Sequence, residues 1–211
     1  MKRSGYFLLP IVVAVCFSSC KQSITSTADF NKYVNNPENG CQISRSINGV
    51  KMTVTYLPPQ YVTLKEMEES GLHGKNVYDS LLHNNKASSY FLMTLAPVDD
   101  NSGDIMYKGL KNYKEYAERA MTLNFDLEQQ IVLQTDHGEL SPVLSSLENT
   151  YGLTKDRKVD IVFSSSEGDI INASHFDFTY SDETYGIGTV HFEYDKKNIN
   201  ENLPEVVFPK S

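Results

Sequence analysis

Four ionisable side chains near the C-terminus have the types and spacing that could bind a metal ion. His175 and Asp177 alternate with apolar residues along one predicted strand, and His191 and Glu193 do so along the next. Because side chains of a strand alternate between its two faces, all four point to the same side of a sheet. Imidazole and carboxylate are ligands that zinc and related ions accept. This face is therefore a candidate metal site, or the site of a hydrolase.

The geometry of this site depends on how the two strands pair. If the numbers of facing residues sum to 368, Asp177 faces His191 and His175 faces Glu193, which gives two favourable contacts. A sum of 370 sets Asp177 against Glu193, and a sum of 366 sets the two histidines against each other. Electrostatics favours 368, although a bulge at one of the turn glycines would shift the register. The alternative is a solvated polar face on which histidines and acids simply pair.

Two shorter clusters and the absence of catalytic motifs complete the chemical inventory. Asp136-His137-Gly138-Glu139 holds three titratable groups, but its position between two predicted strands indicates a turn. Residues 99–104 are as acidic as a calcium loop, yet Gly103 stands at a ligand position and no bidentate glutamate follows, so only loose calcium binding is an alternative.

The chain has no GxSxG, SxxK, HExxH, CxxC, Walker or GxGxxG motif. Paired carboxylates for sugar hydrolysis stay open, because 27 acidic residues supply many pairs.

The first twenty residues differ from the rest of the chain. Lys2 and Arg3 supply a positive start, and residues 6–17 form an apolar run shorter than the ~20 residues of a membrane-spanning helix. The run ends in Phe17-Ser18-Ser19-Cys20, which resembles the lipobox of bacterial lipoproteins. The resemblance implies a signal peptide over residues 1–19 and acyl chains, such as palmitate, on Cys20. The alternative is an ordinary leader that is cut elsewhere, with a plain thiol at Cys20.

The lipobox resemblance predicts a protein that is anchored to a membrane through lipid. Two or three acyl chains make such an attachment effectively permanent. Lys21, where no Asp appears, resembles lipoproteins that are passed to the outer membrane. Residues 20–28 are predicted to be the lipidated cysteine and a tether, flexible over residues 21–27, that reaches no more than ~25 Å. The chain also resembles the uncharacterised envelope lipoproteins of Bacteroides-type bacteria, a likeness that carries no functional residues.

The clearest local signal is Asn48-Gly49 between two alternating runs, which predicts a hairpin over residues 41–56. A two-residue turn sets Cys41 opposite Tyr56 on the apolar face. We therefore expect Cys41 to be a buried, unreactive thiol, with a reactive or intermolecular thiol as the alternative. The other two cysteines belong to the leader and the anchor, so no intramolecular disulfide is predicted.

The remaining periodicity predicts an α+β, β-rich fold. Helical patterns are predicted at residues 27–34, 63–70, 75–83 and 110–121. Strand patterns are predicted at residues 90–95, 130–135, 143–148, 158–164, 170–180, 186–194 and 206–208. The N-terminal half is thus mixed, with the hairpin at 41–56 and helices near 63–83 and 110–121, and the C-terminal half resembles an antiparallel β-sandwich. Residues 29–211 are predicted to form one domain; two lobes, if present, would meet near residue 125.

The helix at residues 110–121 has a pattern that suggests which side is buried. Its apolar residues recur at helical spacing on one face, which predicts that this face packs on the core. These residues are Leu110, Tyr113, Ala117, Ala120 and Met121.

Three hypotheses about function follow from the sequence. The leading one is a non-enzymatic binding or assembly module, held at a membrane by its lipid, whose partner is another envelope component. The first alternative is a metal-binding protein or hydrolase that uses the hairpin face, with a metal ion as its cofactor. The second is glycan capture, since 13 Tyr and 10 Phe can stack on sugar rings, although the chain lacks Trp. Without Lys2 and Arg3 the chain has 17 basic and 27 acidic residues, a net charge of −10 that disfavours a nucleic-acid partner.

Overall fold

A computed structural model of the chain describes residues 22–99, 101–150, 152–165 and 168–208. The predicted signal peptide and Cys20 lie outside the described residues, as does Asp100 of the acidic loop. Among the described residues, no helix has the length and apolar character needed to cross a membrane.

Eleven strands and six α-helices are present in the described part of the chain. The strands are β1 (Ser23–Ile24), β2 (Gln42–Ile47), β3 (Val50–Leu57), β4 (Ser88–Pro97), β5 (Ile131–Thr135), β6 (Gly138–Leu140), β7 (Leu144–Leu147), β8 (Arg157–Ser164), β9 (His175–Asp182), β10 (Gly188–Asp195) and β11 (Glu205–Val206). The α-helices are α1 (Thr27–Val34), α2 (Pro59–Glu69), α3 (Lys75–Asn85), α4 (Tyr113–Met121), α5 (Asp169–Asn172) and α6 (Lys196–Asn202). A π-helical turn at Thr122–Asp126 and a 3-10 turn at Leu127–Gln130 continue α4 to the start of β5.

Nine of the eleven described strands form two antiparallel sheets, which confirm the predicted α+β, β-rich fold, and β1 and β11 form a separate parallel pair. One sheet has five strands in the order β2-β3-β4-β8-β7, and the other has four in the order β10-β9-β5-β6. The five-stranded sheet joins strands from both sides of residue 125, so no lobe boundary lies there. The sandwich is consequently built by the whole chain and not by its C-terminal half alone.

Aromatic side chains fill the space between the two sheets. Phe91 of β4 lies 5.2 Å from Phe178 and 5.7 Å from Tyr194, both on the opposite sheet, measured between ring centroids. The Tyr194 hydroxyl donates a 2.8 Å hydrogen bond to the carbonyl oxygen of Val54, which satisfies the polar end of a buried ring. Large rings that interlock at these distances supply both buried area and favourable edge contacts. Most aromatic residues on the described strands therefore belong to the core.

The first hairpin has the predicted register. Ile47 faces Val50, and the backbone N–H of Tyr56 donates to the carbonyl oxygen of Cys41 at 2.8 Å. Asn48 and Gly49 have φ values of 50° and 70°, the left-handed conformation that a two-residue turn of this type needs.

The predicted helices form, with boundaries set by their caps. The side chain of Ser26 accepts a hydrogen bond from the backbone N–H of Asp29 and so begins α1. Helix α2 begins four residues earlier than predicted, because Pro59 occupies its first turn, where the missing N–H costs nothing. The predicted strand at residues 170–180 is wrong in its first part, which forms α5.

The predicted flexible tether over residues 21–27 is wrong from residue 23 onward. Ser23 and Ile24 pair in parallel with Glu205 and Val206, and Ile24 is completely packed in the core. The folded body therefore begins within three residues of Cys20.

Cys41 is a buried free thiol, as predicted. Burial raises the pKa of the Cys41 thiol to about 12. Because only the thiolate reacts, we expect alkylation of the chain from residue 21 at pH 8 to be about a thousandfold slower than for an ordinary thiol with a pKa near 9. Iodoacetamide labelling followed by mass spectrometry measures this rate, and adding urea should restore fast labelling. Rapid stoichiometric labelling of the folded chain would contradict the buried position.

Candidate functional site

The C-terminal hairpin pairs in a different register from the predicted one. Asp177 faces Glu193 and not His191, while His175 faces Asp195. The predicted sum of 368 is therefore wrong, and facing residues sum to 370.

Asp182, the last residue of β9, organises the loop that closes the hairpin in this register. Its buried carboxylate accepts hydrogen bonds from the backbone N–H groups of Thr184, Tyr185 and Ile187, and from the Tyr180 hydroxyl. Charge pairs on an exposed sheet face contribute only about 0.2–1 kcal/mol each. A buried carboxylate with four donors outweighs them, and it fixes a five-residue loop between β9 and β10.

His191 nevertheless binds Asp177 diagonally across the strands. His191 Nδ1 lies 2.8 Å from Asp177 Oδ2 and 3.2 Å from the hydroxyl oxygen of Thr179. A carboxylate beside Nδ1 favours the imidazole tautomer in which Nδ1 carries the proton. In that tautomer Nε2 is free to act as an acceptor. Asp177 Oδ1 is buried and has no hydrogen-bond partner among the described residues. The pair has the form of an imidazole oriented by a carboxylate, which serves both general bases and metal ligands.

The other two predicted ligands do not complete a metal centre around this pair. Glu193 is exposed on β10, and His175 lies at the open end of the hairpin, where its backbone N–H donates to Asp136. Within the part of the chain that the structure describes, no group of three or more His, Cys, Asp or Glu side chains could hold a metal ion. Metal binding on this face stays a hypothesis that now depends on His191 and Asp177.

The two shorter acidic clusters carry structural hydrogen bonds. Asp136 accepts from the hydroxyl and backbone N–H of Ser174, which lower the pKa of its carboxyl and tie the predicted turn to the start of β9. In the acidic loop, Asp104 forms an ion pair with Arg157 at 2.5 Å and accepts a hydrogen bond from the backbone of Met106. The carboxylates of Asp136 and Asp104 therefore already bind groups of the protein.

The most unusual surface of the molecule is an apolar stripe on α4 and the π-helical turn that continues it. Tyr113, Met121 and Phe125 lie four or eight residues apart and are 81%, 60% and 71% exposed. We call these three residues the α4 stripe. Val143 and Leu144 are also exposed, at the start of β7, which packs beside the π-helical turn. Exposed apolar side chains therefore occur both on the α4 stripe and on the strand that packs beside the π-helical turn.

Helix α4 and the turns that continue it bury a face that includes Ala120 of the predicted one, but the predicted Tyr113 and Met121 are exposed. Tyr116, Ala120, Leu123 and Leu127 pack against the core, and Leu123 and Leu127 are completely buried. Their spacing of four, three and four residues is a helical stripe that runs past residue 121 into the following turns. The prediction ended the helix at Met121 and so missed the longer stripe, which was the signal in the sequence that identifies the buried face.

Arg119 is buried beside the core-facing row that includes Leu123 and Leu127, and it fixes the orientation of α4. Its Nη1 donates to the carbonyl oxygens of Met106 at 2.9 Å and Lys108 at 2.8 Å, and its Nη2 donates to that of Thr184. The guanidinium also lies 4.4 Å from the ring centre of Tyr185. It forms no ion pair within the described residues. A buried arginine held by backbone carbonyls prevents α4 from turning its exposed apolar face inward.

Three tyrosines stack at the start of α4. Tyr116 lies 5.1 Å from Tyr107 and 6.1 Å from Tyr113, and the ring planes differ by only 18° and 24°. The two outer rings are mostly exposed. This is the aromatic surface that the glycan hypothesis requires, although the rings stack on one another and their free faces are limited to the two ends of the row.

Comparison with known proteins adds no family. No family model matches the chain, and no curated protein matches it. A DUF4426 family protein from Pseudomonas aeruginosa PAO1 is similar in structure at 9% sequence identity and a TM-score of 0.34, over 73% of this chain and 91% of that protein. A similarity of this size carries no argument about function, which therefore rests on the surfaces described above.

Proposed function

We propose that this protein is a non-enzymatic envelope lipoprotein, anchored through Cys20, that binds another envelope protein through the α4 stripe. The observation that supports the proposal is the exposure of Tyr113, Met121 and Phe125 on one side of an amphipathic helix. Large apolar side chains exposed together on one side of a helix, unlike those scattered singly, mark interaction sites. An amphipathic helix that offers anchors at helical spacing is a recurring way of docking into a groove on another protein.

The composition of the stripe favours a protein partner over a glycan. Tyr, Phe and Met are enriched in the buried centres of protein interfaces. Met121 and Phe125 have flexible or fully apolar side chains that offer no hydrogen bonds to sugar hydroxyls. The exposed ion pair between Lys114 and Glu118, with 3.6 Å between Nζ and Oε1, supplies a polar rim beside them.

The position of the stripe suits a protein that is anchored at its N-terminus. Helix α1 packs Phe30 on Tyr61 at the open end of the first hairpin. The segment before α4 lies at the turn end, where the backbone N–H of Val98 donates to Gly49. The six residues of β2 separate these ends by roughly 20 Å. A body anchored at residue 20 thus presents the start of α4 away from the lipid surface.

Double substitution of the stripe tests the proposal. We expect Met121→Ser with Phe125→Ser to leave the fold intact, because both side chains are exposed, and to weaken partner binding about thirtyfold or more, the effect of losing one interface hot spot of ~2 kcal/mol. Full-length tagged protein is cross-linked in its native envelope and purified, and the recovered partner is quantified by mass spectrometry. The same spectra report whether Cys20 carries acyl chains.

Leu153→Ser is the matched control, because Leu153 is 86% exposed and lies outside the stripe. The proposal requires a protein whose recovery falls in the double variant and not in the control. Equal recovery in both, or a cross-linked product that is only a second copy of this chain, would contradict it. An unmodified thiol at Cys20 would remove the anchor while leaving the docking result to stand by itself.

A further inference from the structure

An apolar pocket of about 660 Å³ opens beside α1 and α2. These helices lie at the end of the fold nearest Cys20, away from the Asn48-Gly49 turn. The segment at residues 25–28 forms one wall, α2 forms the floor, and Leu72 and Phe208 form the rim. Its volume lies within the range of about 300–1,000 Å³ that is typical of small-molecule sites.

The pocket has a fixed apolar floor and an accessible rim. Leu64 and Met67 of α2 are buried in the floor, whereas Leu72 is 42% exposed at the edge. The ring of Phe208 is held 5.2 Å from that of Tyr78, which keeps the far wall in place. A ligand therefore meets an apolar surface that is formed before it binds.

The polar groups at the pocket restrict the charge of a ligand. Glu68 lines the pocket and forms no ion pair in the described part of the chain, and the chain without Lys2 and Arg3 has a net charge of −10. The imidazole of His73 and the hydroxyl groups of Thr25 and Thr27 supply hydrogen-bonding groups. An anionic headgroup is disfavoured beside Glu68, while an uncharged or zwitterionic one is accepted.

The position of the pocket indicates where its ligand comes from. Thr25 is five residues after Cys20, and the chain between them extends at most ~18 Å. The pocket is therefore held within reach of the lipid surface, a placement that rests on the anchor in the proposed function. The apolar molecules present there at high concentration are lipids.

We propose that this pocket binds one acyl chain of a membrane lipid whose headgroup carries no net negative charge. The acyl chain lies on Leu64 and Met67, and the headgroup stays at the rim near Leu72 and His73. The site shares no residue with the α4 stripe, so the protein carries two distinct binding surfaces.

Direct binding of monoacylglycerols to the chain from residue 21 tests this proposal. The core residues that the structure describes lie between Ile24 and Leu203, and this fragment contains all of them. We expect calorimetry to show one saturable site for monopalmitoylglycerol, with affinity rising about fourfold for each added methylene until the pocket is full. Palmitate, which is anionic, should bind about tenfold more weakly, and Glu68→Gln should reduce that difference.

Two variants block the pocket in different ways. Leu72→Asp places a charge at the rim, and Ala28→Trp fills the space from an exposed position on α1; each should weaken binding about tenfold or more. Val98→Asp is the control, because Val98 is 50% exposed and lies outside the pocket. Circular dichroism checks that all three variants fold.

Absence of saturable binding by the wild-type fragment would overturn the proposal, as would equal weakening by Leu72→Asp and Val98→Asp. Affinity that does not change with acyl length would also overturn it. None of these measurements uses the acyl group on Cys20 or the α4 stripe. Failure of the lipid site is therefore distinguishable from failure of the proposed function.

Discussion

Replacing Arg119 by methionine is expected to lower the free energy of unfolding by about 3–5 kcal/mol. Methionine fills much of the same volume but donates no hydrogen bonds. The buried carbonyl oxygen of Met106 would lose a donor at a cost of about 1–3 kcal/mol, and the half-buried carbonyl oxygens of Lys108 and Thr184 would lose theirs at a smaller cost. The contact with the ring of Tyr185 would be lost as well.

Urea unfolding, followed by circular dichroism, measures this change. Lys114→Met is the matched control, since it removes a cation from the exposed side of the same helix and should change stability by no more than about 0.5 kcal/mol. A loss below about 1 kcal/mol for Arg119→Met would contradict the structural role assigned to this arginine.

The arginine also links stability to the proposed docking surface. Helix α4 and the turns that continue it have two apolar faces. One carries the buried Leu123 and Leu127, and the other carries the exposed Met121 and Phe125. Arg119 lies beside the first face and reaches carbonyl oxygens in the segment before α4 and in the β9–β10 loop. Turning the second face inward would break all of these hydrogen bonds, so the stripe is kept on the surface by interactions on the opposite side of the helix.

Local features of the fold were predictable because they depend on neighbours in the chain. Asn48-Gly49 sets its own hairpin register through positive φ values, and no distant residue is needed. Period-two alternation likewise identifies β5, β7, β8 and β10 within two residues of their ends. The burial of Cys41 follows directly from the register of that hairpin.

Features that depend on distant contacts were not predictable in the same way. The pairing of β8 with β4 joins residues more than sixty positions apart and connects strands from both sides of residue 125, where two lobes, if present, were predicted to meet. The parallel pairing of β1 with β11 joins the two ends of the described chain and removes most of the expected tether. The α4 stripe and the apolar pocket both depend on which side chains stay exposed once distant segments have packed together. A local sequence pattern does not contain that information.

The register of the C-terminal hairpin illustrates the competition between a local and a buried interaction. Facing charges on the solvent side favour Asp177 opposite His191, but the loop after β9 closes around a buried carboxylate. Asp182 lies between the two predicted strands, where an aspartate followed within six residues by a Thr, a Tyr and two glycines has the composition of a turn organised by its own acid.

Replacing Asp182 by alanine is therefore expected to lower the free energy of unfolding by about 3–5 kcal/mol. The backbone N–H groups of Thr184, Tyr185 and Ile187 and the hydroxyl of Tyr180 would all lose their acceptor. Asp182→Asn keeps one carbonyl oxygen as an acceptor and should recover part of the loss.

Urea unfolding measures the effect, and Glu183→Ala, a change of the exposed neighbouring acid, is the control that should alter stability by no more than about 0.5 kcal/mol. NMR contacts across β9 and β10 in Asp182→Asn then test the register itself. Retention of Asp177 opposite Glu193 with an unchanged stability would show that the sandwich core, and not the loop carboxylate, sets the pairing. Loss of stability together with new contacts between His175 and Glu193 would show that Asp182 shifts the hairpin by two residues from the pairing that surface charge prefers. Asp182 would then also determine the diagonal contact between His191 and Asp177.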